Sequence, residues 1–198
     1  MEVPQDIITY FRDRYPYIIE EDVDAVLSLV SFRRFEPGDC FVRLGEVNAH
    51  VFFVIRGLFK AYYFDENDNE VIINFYPENA LTGNWHSTLL NEASKLCIEA
   101  LEPTLIVQTS LSEVDELVKD SARLLRAYND ILKRKLIASL ENIWENMNEK
   151  PETRYLKLQR EKPDLLHRLT QKDIASYLGV TPVSLSRIKK RLMTRDIT

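Results

Sequence analysis

Between Ser31 and Ser110 the hydrophobic pattern breaks into short β-type runs, and this limits the fold more than any other feature. The runs cover residues 40–42, 51–55, 58–64, 71–75, 95–101 and 105–109. Turn residues punctuate them: Pro37-Gly38, Gly45, Gly57, the polar stretch 65–69, Pro77 and Pro103. Many short strands with close turn signals predict a β-barrel or sandwich. Both flanks are helical in period. Residues 1–30 cluster Ile7, Ile8 and Phe11, then repeat Val23, Val26, Leu27 and Val30 at i, i+3, i+4 and i+7.

After Ser112 the helical period returns. Leu125, Tyr128, Leu132, Leu136, Leu140, Ile143 and Met147 recur every three or four residues, and neither Gly nor Pro intervenes before Pro151. Such a narrow seam suits a helix that pairs with a second copy of itself, or one that packs on its own barrel. Pro151 then opens a short helix carrying Tyr155, Leu156 and Leu158.

Charge divides the chain. Residues 151–198 hold eleven Lys/Arg and five Asp/Glu, whereas the remainder holds fifteen and twenty-six. A basic tail behind an acidic body is a candidate phosphate-binding surface. Within it, LTQKDIASYLGVTPVSLSRIKKRL reads as two helices at a turn. Thr170 and Asp173 resemble a capping box. Ile174 and Leu178 form an apolar face, and Ala175 is small where a second helix crosses. Gly179 supplies the left-handed residue that ends the first helix. Thr181 caps a second helix with Pro182 at its first position. Leu185, Ile188 and Leu192 face inward, and Ser184, Arg187, Lys189, Lys190 and Arg191 mainly outward. This is a helix-turn-helix with a basic reading helix.

On these residues the chain resembles the Crp/Fnr family of bacterial transcription regulators over almost its full length. PGDCFVRLGEVNAHVFFVIRGLFKAYYFDENDNEVIINFYPEN followed by ALTGNW resembles that family's β-roll. The resemblance implies an α+β chain. Residues 1–111 would form a double-stranded β-helix, a jelly roll of the cyclic-nucleotide-binding kind, with N-terminal helices. Residues 112–150 would form a long dimerisation helix, and 151–198 a helix-turn-helix domain with little or no wing. It also implies a homodimer on a near-palindromic stretch of double-stranded DNA, with RNA polymerase as a further partner. Thr170, Gln171 and Lys172 would hold phosphates at a helix N-terminus. Thr181, Ser184 and Arg187 would enter the groove, and Lys189 and Lys190 would meet the backbone. Two further base-reading positions of the family fall on Pro182 and Val183, which offer no side-chain hydrogen bond.

The pocket departs from the family's cyclic-nucleotide pattern. That pattern pairs a ribose-binding Glu with a phosphate-binding Arg. Here Gly83 is followed by Asn84, and the Arg position falls near Ser94-Lys95, with the bulky Trp85 and His86 between them. Lys95 offers a point charge without the Arg fork. Cyclic AMP is therefore not expected to bind, although an unidentified small-molecule effector fits the family scheme. No cofactor is expected. Cys40 and Cys97 have no Cys or His at ligand spacing, so no metal site is expected. No catalytic residues are expected either: paired carboxylates and phosphate-binding Gly loops are missing, which argues against an enzyme. Neither a signal-like N-terminus nor a run of about 20 apolar residues is present, so a cytoplasmic address away from membranes is expected. The rival reading is a ligand-sensing β-roll protein whose helical tail binds a protein partner instead of DNA.

Overall fold

The computed structural model describes residues 4–195. Of the segment expected to be helical from Met1, residues 1–3 lie outside the described residues, as does any wing beyond residue 195. Two compact units are present. One runs through Ala61 and includes Phe75–Leu136; the other joins Tyr62–Asn74 to the chain from Ile137 onward. These units are cut differently from the divisions expected at 111/112 and 150/151, because residues from the first β-type half group with the C-terminal helices.

The first unit begins with helices α1 (Gln5–Arg14) and α2 (Glu20–Leu27). The strands that follow are β1 (Ser31–Phe35), β2 (Cys40–Val42), β3 (His50–Arg56), β4 (Phe59–Phe64), β5 (Glu70–Tyr76), β6 (Leu81–Gly83), β7 (Cys97–Ala100) and β8 (Thr104–Ser110). They form two four-stranded sheets, in the orders β1-β8-β3-β6 and β2-β7-β4-β5. A short helix, α3 (Trp85–Leu90), follows β6. Edge strands β1 and β6 and helix α3 were not expected from the sequence. β1 carries Arg33 and Arg34 and is largely exposed, and β6 is only three residues long.

β3 reads as a nearly unbroken apolar run because both of its faces are covered. Phe52 packs its ring 4.4 Å from Phe41 and 5.3 Å from Phe59 in the core, where Phe59 also meets Phe35 at 5.2 Å. Phe53 points the opposite way and packs with Ile7 and Val107 under Tyr10 and Phe11 of α1. Gly57 turns β3 into β4 at φ +104°, and a Cβ there would sit 2.2 Å from Thr104 Oγ1. No larger residue fits that crossing.

The continuous helix expected from Ser112 is two helices, α4 (Leu111–Lys119) and α5 (Ala122–Asn148). The break has a physical cause. Ser121 Oγ accepts the Leu124 N–H at 3.2 Å and so caps the new helix. Buried Asp22 on α2 then accepts from Ser121 Oγ at 3.1 Å and from Arg123 Nε at 2.6 Å. Further along α5, Leu136, Leu140, Ile143, Trp144 and Met147 are exposed, Met147 at 78%.

The second unit contains α6 (Pro151–Glu161), α7 (Pro163–Arg168), α8 (Gln171–Leu178) and α9 (Pro182–Arg195). Its core is Tyr155, Leu158, Leu165, Leu169, Ile174, Ala175, Leu178, Leu185, Ile188 and Leu192. Among the described residues no helix is long and apolar enough to cross a membrane.

Candidate functional site

The α8–α9 pair is built by local capping. Thr170 Oγ1 accepts the Asp173 N–H at 3.1 Å, and the Asp173 carboxylate accepts the Thr170 N–H at 3.2 Å. This reciprocal box satisfies backbone donors that the helix leaves open. Gly179, at φ +68°, closes α8. Its N–H donates to Ser176 O, and the Val180 N–H to Ala175 O. Thr181 Oγ1 accepts the Ser184 N–H at 3.2 Å and donates to Ser184 Oγ at 3.0 Å. Both hydroxyls expected in the groove are thus engaged in the cap of α9, although Ser184 keeps its own O–H to donate.

Arg187 and Lys190 are exposed. With Val183 and Ser186, also exposed, they repeat at helical spacing and make one stripe along α9. Ser186 escaped the sequence reading. Its signal was the interval of three from Val183 and four to Lys190. Lys189 is placed differently from the expected backbone contact. Its Nζ donates to Gln171 Oε1 at 2.9 Å and lies 5.5 Å from the Tyr155 ring centre, and burial pushes its pKa down. That bond also occupies the Gln171 oxygen. Lys172 and Thr170 are exposed at the start of α8. Arg191 pairs with Glu152 at 2.6 Å.

The second candidate site lies at the end of β6. Gly83 is needed for packing, because a Cβ would approach His50 O to 2.9 Å. Asn84, only 1% exposed, caps α3 and donates from Nδ2 to Ser94 Oγ. Ser94 is buried too, and its Oγ accepts the Leu96 N–H at 3.1 Å. Its backbone is tied on both sides, Ser94 N–H to Glu46 O and Gly45 N–H to Ser94 O, each at 2.8 Å. The two positions that would carry an acid and an Arg therefore form a neutral pair bonded to each other. Lys95 is exposed, and Trp85 and His86 are half-buried. His86 Nε2 stands 3.6 Å from Glu92, and its Nδ1 is buried with no hydrogen-bond partner.

Residues 32–121 match the family model of the cyclic nucleotide-binding domain. Among curated proteins, no sequence matches the chain. Solved structures do match its fold. The c-di-GMP-responsive global regulator CLP of Xanthomonas campestris superposes with a TM-score of 0.70 at 15% identity, covering 90% of this chain and 93% of its own. FixK2 of Bradyrhizobium japonicum gives 0.67 at 16% identity, over 85% and 87% of the two chains. A regulator of the Crp/Fnr family from Eubacterium rectale, described as putative in function, gives 0.69 at 14% identity, over 94% and 88%. The chain thus carries a cyclic nucleotide-binding family domain at residues 32–121 and has the fold of the Crp/Fnr family of transcription regulators.

Proposed function

We propose that the chain is a homodimeric, sequence-specific DNA-binding transcription regulator that acts without catalysis. The observation that carries this reading is the capped α8–Gly179–α9 pair, with its exposed stripe of Val183, Ser186, Arg187 and Lys190. An exposed basic stripe on the second helix suits a major groove. The exposed apolar row on α5, from Leu136 to Met147, supports pairing with a second copy. Two copies would set two reading helices about one DNA turn apart, on a near-palindrome.

The test combines two measurements on the full chain. Sedimentation should give a dimer at micromolar concentration, and Leu136→Asp with Leu140→Asp should give a folded monomer, since both side chains are already exposed. Selection from random duplex DNA should return an inverted repeat. A monomeric wild type, or selection that returns no enriched sequence, would sink the reading.

The Asn84–Ser94 pair supports a further part of it: cyclic AMP is not the effector. Neither residue is charged, so a cyclic phosphate would lose its water without gaining the two-pronged pairing of an Arg, for which the exposed Lys95 is no substitute. Calorimetry should detect no binding at micromolar nucleotide, and micromolar affinity would refute this.

A further inference from the structure

A cavity of about 210 Å³ lies in the first unit, bounded by α1, α2, α4, the outer side of β3 and β8, and the start of α5, with Trp85 at its margin. Its wall is almost wholly hydrocarbon, with Phe11, Val23, Val107 and Ala127 among the lining side chains. The charged groups on its edge already have partners: Arg12 pairs with Glu20, and Asp22 with Arg123 and Ser121. The side chains that face it from the sheet are Val51, Phe53 and Val107.

We propose that this cavity is a binding site for a neutral, mainly apolar small molecule of one or two rings, separate from the Asn84–Ser94 site. An apolar cavity of roughly 150 Å³ stays dry and admits benzene. The larger volume here leaves room for a substituent or a second fused ring. A charged ligand is excluded, because it would be stripped of water with no free counter-charge. Since Ala127 belongs to α5, an occupant presses on the helix assigned above to dimerisation. That consequence rests on the regulator reading; the binding itself does not.

Toluene and indole are the probes, with benzoate as the charged control, read by thermal unfolding of the full chain without DNA. Toluene and indole should each raise Tm by about 2–5 °C near saturation, since a ligand that prefers the native state stabilises it. Benzoate should not. Ala127→Phe, which fills the cavity, should abolish the response to both probes; if that variant does not fold, Val23→Phe fills it from the opposite wall. The site is refuted if neither probe shifts Tm up to its solubility limit, or if a filled variant responds as the wild type does. Failure to bind DNA would remove the regulator reading and leave these outcomes untouched.

Discussion

Ser176 in α8 accepts the Ile72 N–H of β5 on its Oγ at 2.9 Å and donates to Glu70 O at 2.7 Å. One hydroxyl thus replaces two hydrogen bonds that the end of β5 would otherwise make to water, and it does so from α8. Ser176→Ala removes both bonds with little change in volume. It should cost about 1 kcal/mol in denaturant unfolding. Amide exchange at Ile72 should accelerate more than at the buried amides of α8. Unchanged exchange at Ile72 would show that the hydroxyl is incidental.

Asp22 sets where α5 begins. Arg123 chiefly holds its carboxyl below the ordinary value of 3.8, with the Ile19 N–H and Ser121 adding to the effect and burial opposing it. The ionised form is the one the fold holds. Its contribution is therefore whole above pH 3.8 and is lost as pH falls below that value. Asp22→Ala should cost about 1–3 kcal/mol at pH 7, through unsatisfied partners. It should also flatten the acid limb of the stability curve. An unchanged acid limb would contradict this.

Tyr128, raised as well, shares the alkaline limb with Tyr17. Burial first, then its hydrogen bond to Asp130 Oδ2 at 2.7 Å, pushes the Tyr17 phenol from 10.0 up to about 12. Here the neutral form is favoured in the fold, so the contribution is complete below pH 10.0 and disappears toward pH 12. Tyr17→Phe should lose the Asp130 bond and be less sensitive to pH across that window. Spectrophotometric titration should show a phenolate step near pH 12 in the wild type that Tyr17→Phe lacks, and a step lost near pH 10 instead would contradict this.

Arg187 and Lys190 should divide the work on DNA. Arg187→Ala should relax preference at one base pair per half-site, by about 1–3 kcal/mol. Lys190→Ala should weaken all sequences alike and lower the salt slope by roughly one. Lys189→Ala should change the salt slope less than Lys190→Ala, because Lys189 is turned onto Gln171 and Tyr155. Competition binding at two salt concentrations separates these outcomes. If Arg187→Ala leaves the preferred sequence intact, base reading belongs to Ser184, Ser186 or DNA shape.

The α8–α9 pair was legible in the sequence because its determinants are local. Thr170 and Asp173, Gly179, and Thr181 with Pro182 act within a few residues of one another, and the buried positions of α8 and α9 keep the helical period. The strands of the roll were legible where apolar runs are covered on both faces, as in β3. What escaped depends on partners distant in the chain. The α4–α5 break answers to Asp22, 99 residues before Ser121. Lys189 looked free because Gln171 lies 18 residues away. The exchange of charged for neutral residues at Asn84 and Ser94 could be read directly, but the hydrogen bond that joins them could not.

The position of α5 bears on how this protein can be dissected. Along α5, residues up to Leu136 belong to one compact unit and those from Ile137 to the other, yet the helix runs unbroken from Ala122 to Asn148. Neither Gly nor Pro offers a protease a weak point there, so nicking should begin elsewhere, at exposed turns such as residues 65–69. A fragment cut at residue 136 would end in mid-helix and strip the last carbonyls of their partners. It would also leave residues 62–74 behind with the wrong half. Fragments for expression are better ended at Asn148, and the helical portion made without residues 62–74 should be judged by its own melting curve before its binding is measured.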